Sequence, residues 1–95
     1  MNDNYIKLNI SLPRQVRTKR LIKELGYEGF YSLVQLACYA AEFCPNGDMT
    51  DMTTDEIALA AGWKGYAPTF VDALDDFGFL VHEKDGVDGL FVDLE

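Results

Sequence analysis

Asp72, Asp75 and Asp76 recur at the spacing that sets three carboxylates on one side of an α-helix, with Thr69 beside them. Such a face could draw a hard cation, but it matches no calcium-loop spacing, and surface carboxylates binding through single oxygens seldom suffice. Asp76-Phe77-Gly78 spells the magnesium-binding tripeptide of kinases without the glycine-rich loop or strand lysine that gives it meaning, so it is read as coincidence. His82 is the only histidine, and no serine or cysteine in the sequence is tied to it as a nucleophile. Cys38 and Cys44 form neither a four-ligand zinc set nor a Cys-x-x-Cys redox pair, and if both lie on one helix, six positions hold them too far apart for a disulfide. They are expected to be buried, reduced thiols. No catalytic, cofactor-binding or metal-ligating set is expected, nor any small-molecule substrate.

A second group of side chains is cationic: Arg14, Arg17, Lys19, Arg20 and Lys23. On a helical wheel at about 100° per residue, Arg17, Lys19, Arg20 and Lys23 lie opposite Leu21, Ile22 and Leu25, a stripe suited to phosphates or to an acidic partner. The plainer reading is a solvated face, partly neutralised by Glu24 four residues after Arg20. Trp63, Tyr66 and Tyr27 could form an exposed aromatic patch. Trp63 is instead expected to pack over the ends of the helices on either side of it.

These groups must be carried by one small domain spanning residues 1–95. The chain has 95 residues, 48% of them apolar and 25% charged, which is the composition of a folded protein with a core. No apolar run reaches the roughly 18–20 residues of a membrane span, and the opening MNDNYIK is not a secretory leader. A soluble, cytoplasmic protein that does not engage membranes is therefore expected. The formal net charge is −8, and it is polarised: residues up to Gly47 carry +2 and the remainder −10. Overall acidity opposes tight non-specific binding to DNA or anionic membranes.

Ile6, Leu8, Ile10 and Leu12 alternate with polar residues, which predicts a strand over Tyr5–Ser11. Pro13 suits the first turn of a helix running to about Leu25, ended by Gly26. Residues 28–43 are apolar nearly all round, as in a central helix packed on several sides. Pro45-Asn46-Gly47 ends it in a turn. Thr53 and Glu56 form a capping box, with Met52 and Ile57 placed as a hydrophobic staple, so the next helix covers about 54–61. After the short Trp63–Tyr66 connection, Pro68 restarts a helix over about 67–77. A hairpin over about 79–93 bends at Asp85-Gly86-Val87-Asp88-Gly89. Leu94-Glu95 also occurs as a vector-encoded dipeptide ahead of purification tags.

This order of elements predicts a mainly α protein with a small β-sheet, arranged as a winged helix-turn-helix: four helices, an N-terminal strand and a C-terminal wing hairpin. The chain resembles the N-terminal winged-helix domain of phage and prophage replication-initiation proteins, the replisome-organiser and DnaD-like group. The resemblance is carried by Lys19-Arg20-Leu21-Ile22-Lys23-Glu24-Leu25-Gly26, Leu33 to Glu42, Asn46-Gly47-Asp48-Met49, Asp55-Glu56-Ile57-Ala58 and Ala73 to Leu80, and spans about Tyr5 to Val92. It departs from some relatives in that Val92-Asp93-Leu94 does not reproduce a His-x-Trp-like end to the wing. The resemblance implies a part in assembling replication complexes, through DNA, self-association or partner proteins. Relatives typically add a second domain, whose activity would not be expected of these residues.

In a DNA-reading module the 67–77 helix would enter the major groove and offer Arg, Asn or Gln to base edges. Here its outward arc offers Thr69, Asp72, Asp75 and Asp76, and the hairpin tip offers Asp85 and Asp88 beside Lys84 alone. The preferred reading is thus a non-enzymatic module that assembles with a protein partner or with itself through that acidic face. Any DNA contact is weak and runs through the basic stripe. The alternatives are a sequence-specific regulator that reads DNA with the 67–77 helix, and a small enzyme.

Overall fold

A computed structural model describes residues 5–95 of the chain. Among the described residues four α-helices, α1 (Val16–Leu25), α2 (Tyr27–Phe43), α3 (Thr54–Ala61) and α4 (Ala67–Asp76), are followed by an antiparallel pair, β1 (Leu80–Lys84) and β2 (Val87–Val92). The protein is mainly helical with a small two-stranded sheet. Among the described residues no helix is long and apolar enough to cross a membrane.

The firmest local signal is realised in full. Thr53 Oγ1 accepts from the Glu56 N–H at 3.1 Å, and Glu56 Oε1 accepts from the Thr53 N–H at 2.9 Å, closing the capping box that starts α3. Met52 and Ile57, the two staple residues, both join the core. Pro68 lies in the first turn of α4, where its missing N–H leaves no bond unmade.

The expected N-terminal strand over Tyr5–Ser11 does not form. Asn9 Oδ1 accepts from the Ser11 N–H at 2.8 Å and from Ser11 Oγ at 2.7 Å, an Asx-turn that bends the chain where a strand would have to continue. Ile10 is 86% exposed, so the alternation does not present an apolar face to the core. One backbone bond, Asn9 N–H to Leu94 O at 3.1 Å, fixes this segment to the far end of the chain.

The first helix also begins later than Pro13. Leu12–Arg14 is a single 3-10 turn, and Gln15 is extended (ψ 146°) before α1 starts at Val16. Gln15 sits at the hinge with its side-chain amide donating to Ser11 Oγ at 3.1 Å and accepting from Arg17 Nε at 2.8 Å.

The core gathers Leu12, Leu21, Leu33, Leu36, Ile57, Phe70, Leu74 and Phe79 between the helices, and Leu80, Leu94 and Met49 extend it to the hairpin. Trp63 stacks on Phe70 with ring centroids 5.2 Å apart and donates its indole N–H to Tyr66 O at 3.2 Å, over the junction of α3 and α4 as expected. Tyr27 and Tyr66 are 80% and 75% exposed and are not drawn in with it.

Thr18 lies within this core, fully buried, and its hydroxyl has no hydrogen-bond partner among the described residues. A buried hydroxyl without a partner costs stability, and valine has nearly the same shape. Thr18→Val is therefore expected to raise the unfolding free energy by roughly 1 kcal/mol, read as a higher urea midpoint at unchanged slope. A lower midpoint would mean that the hydroxyl is satisfied in solution.

The hairpin turns more tightly than expected. Only Asp85 and Gly86 form the loop, with φ of 54° and 79°, the paired positive angles of a two-residue turn matched to strand twist. Val87-Asp88-Gly89 belongs to β2 instead. The register slips between Val81 and Glu83, so that Gly89 and Leu90 together oppose His82 in a β-bulge.

Candidate functional site

The helix wheel of α4 is reproduced in three dimensions. Phe70, Ala73 and Leu74 are buried, while Thr69, Asp72, Asp75 and Asp76 are all exposed. The aspartates thus point to solvent. One of them has a neighbour from β1, His82 Nε2, at 3.9 Å from Asp75 Oδ1. Both partners are solvent-exposed, and an exposed pair of this kind contributes little. At the hairpin tip Asp85 and Asp88 are exposed, and Lys84 Nζ lies 3.5 Å from Glu95 Oε2. The lone wing cation is thereby engaged within the chain.

The basic stripe divides. Arg14, Lys19, Arg20 and Lys23 are exposed, and among the described residues none of them lies within 4.0 Å of a carboxylate, Glu24 included. Arg17 does not belong with them. Its guanidinium lies 4.4 Å over the Phe79 ring, donates to Gly78 O at 2.9 Å and to Gln15 Oε1 at 2.8 Å, and reaches Asp93 at 3.9 Å. It fastens α1 to the corner between α4 and β1. This contact between residues 61 positions apart left no mark on the local wheel.

A further polar centre was not anticipated as such. Asp48 Oδ1 accepts from Thr50 Oγ1 at 2.6 Å, from the Thr50 N–H at 2.9 Å and from the Leu90 N–H at 3.0 Å. The Met49 N–H donates to Leu90 O at 2.8 Å, so the 48–49 segment lines the edge of β2 opposite β1. A Cβ on Gly89 would fall 2.6 Å from Asp48 Oδ1, so any larger residue there would displace the carboxylate that holds these hydrogen bonds. Hydrogen bonds from the Thr50 hydroxyl first, then from the Leu90 and Thr50 amides, hold the Asp48 carboxyl below its ordinary pKa.

A folded-state value below the unfolded one means a contribution to stability that is complete above the unfolded carboxyl pKa, about 3.9. It is lost as pH falls through the lower, folded value. The stability advantage of the protein over Asp48→Asn is expected to be constant near neutrality and to shrink below about pH 4. Paired urea titrations across that range measure it, and a pH-independent difference would contradict it.

The thiols correct another expectation. Neither cysteine is buried: Cys38 is exposed on α2, and Cys44 is half-buried with its sulfur 3.9 Å from Met52 Sδ. Desolvation, and secondarily the Asp48 charge, push the Cys44 thiol above its usual pKa. Iodoacetamide at neutral pH is expected to modify Cys38 several-fold faster than Cys44, resolved by peptide mass mapping. Equal rates would show that the loop around Cys44 opens readily.

The exposure of Cys38 belongs to a wider pattern. The central helix packs on several neighbours, α1, α3 and β2, as expected, but one side stays open: Tyr27, Tyr31, Cys38 and Ala41 are exposed there, while Leu33, Leu36, Ala37 and Ala40 are buried on the other side.

Beyond the C-terminal half of α2, a cleft of about 1010 Å³ opens toward the hairpin, with Lys7, Glu42, Cys44, Lys84, Asp85 and Glu95 among its lining groups. Its one thiol is shifted away from the reactive thiolate, and Lys84 is engaged with Glu95.

No family model, no curated protein and no solved structure matches the chain.

Proposed function

We propose that the chain is a non-enzymatic winged-helix module, of the kind found at the N-terminus of phage-type replication initiators, that acts in protein assembly in the cytoplasm. The chain order supports the winged reading: α3 and α4 are joined by a short turn and followed by a hairpin whose second strand is flanked by Asp48-Met49 from between α2 and α3. The observation that carries the functional reading is the solvent face of α4. At the position where a DNA reader needs cations and base-reading amides, this helix presents Thr69, Asp72, Asp75 and Asp76. The matching partner surface is basic, on another protein or on a second copy. DNA contact is weak and confined to Arg14, Lys19, Arg20 and Lys23.

The test is a pair of titrations of labelled probes, an arginine-rich peptide and a short DNA duplex. The reading expects the peptide to bind, and to lose most of its affinity in an Asp72→Asn/Asp75→Asn/Asp76→Asn variant. Duplex binding should be weaker and should fall in Arg20→Ala/Lys23→Ala. Tight duplex binding that declines when the aspartates are neutralised would overturn it in favour of groove reading by α4.

A further inference from the structure

The exposed side of α2 has a regular spacing. Tyr27, Tyr31, Val34, Cys38 and Ala41 follow one another at intervals of four, three, four and three residues, the seam of a helix that packs on another helix. Tyr27 is 80% and Tyr31 65% exposed, Cys38 and Ala41 are exposed, and Val34 is half-buried. The seam runs about 21 Å at 1.5 Å per residue. A row of apolar and aromatic side chains this long on a small protein marks an interaction surface.

The charges beside the seam select what covers it. Glu28, Gln35 and Glu42 recur every seven residues along one flank, and α2 carries no lysine or arginine. Gln35 is held in place by donating its amide to Ala61 O at 3.2 Å. Two copies packed antiparallel on this seam would set Glu28 of each against Glu42 of the other, which is repulsive. A helix with lysine or arginine at the flanking positions would meet both carboxylates favourably.

We infer that the exposed seam of α2 docks an amphipathic helix of a partner protein, three to four turns long, with apolar residues at alternating three- and four-residue spacing and basic residues flanking them. This surface is separate from the acidic face of α4 and does not depend on the function proposed for it.

The test uses two designed helical peptides with the same leucine seam, one flanked by lysines and one by glutamates. Binding is read by fluorescence anisotropy and by protection of Cys38 from iodoacetamide, with Cys44 in the same chain as the internal comparison. The lysine-flanked peptide is expected to bind and to slow Cys38 alkylation at least tenfold, leaving Cys44 unchanged. Tyr31→Glu is expected to weaken binding at least tenfold, and Glu28→Lys/Glu42→Lys to switch preference to the glutamate-flanked peptide. In the Asp72→Asn/Asp75→Asn/Asp76→Asn variant, which removes the α4 carboxylates that also attract basic peptides, the lysine-flanked peptide should still protect Cys38 as it does in the parent, and this site-specific readout separates the two surfaces. Equal binding of both peptides, or no protection of Cys38, would overturn the inference. Self-association of the protein abolished by Tyr31→Glu would also overturn it, by making a second copy the occupant.

Discussion

Phe70→Ala is expected to remove about 3–5 kcal/mol of unfolding free energy, the range for truncating a fully buried aromatic. Phe70 has no solvent exposure and belongs to α4, and its ring stacks on Trp63 at 5.2 Å. Its loss opens a cavity where α4 meets the connection from α3 and removes the surface on which the indole rests. A domain of this size commonly has only about 5–15 kcal/mol in total, so the variant should sit near the edge of folding. Urea unfolding followed by the single tryptophan would show a much lower midpoint and altered native fluorescence. A loss below about 1 kcal/mol would place the ring outside the close-packed core.

The second large effect is a gain. Asp72→Lys/Asp75→Lys/Asp76→Lys reverses three charges on the exposed face of α4 and moves the formal net charge from −8 to −2. The fold should tolerate it. The three positions are exposed, and Asp75 and Asp76 occupy the last turn of α4, where the helix dipole favours cations over carboxylates. If the helix sits where a groove-reading helix would, each lysine can meet a phosphate. Three such contacts give a salt slope near −2.7 in log–log form, which is about a fortyfold loss of affinity between 50 and 200 mM salt. Fluorescence anisotropy with a labelled duplex should therefore show strong low-salt binding by the variant and little by the parent. A variant that is folded and still does not bind would remove α4 from any groove-facing position.

What could be read from the residues alone was local. Thr53 and Glu56 announce the start of α3 because a capping box is complete within four residues. Pro68, and the apolar arc of Phe70, Ala73 and Leu74, fixed α4 and with it the outward direction of the aspartates, for the same reason. The failures share a cause, which is competition from contacts that a short window does not contain. The Ile6–Leu12 alternation was overruled by the Asn9 side chain, which caps a turn instead of letting a strand run on. On the local wheel Arg17 belongs to a solvated stripe, whereas in the fold Gly78 and Phe79, distant in sequence, enclose it. Asp48 looked like one acid among many, and its role depends on Leu90, 42 positions away. Leu94, at the end of the chain, is buried in the core only because the hairpin returns it there. The α2 seam was legible in principle, since its spacing is present in the sequence. It was hidden by the apolar residues of the buried side of the same helix.

The most direct measurement for the acidic face of α4 is an amide chemical-shift titration of the protein with a short DNA duplex at low salt. Small, salt-sensitive shifts limited to the neighbourhood of Arg14, Lys19, Arg20 and Lys23 are expected, with Thr69, Asp72, Asp75 and Asp76 unmoved. Saturable shifts along α4 and the hairpin tip that persist as salt is raised would contradict it.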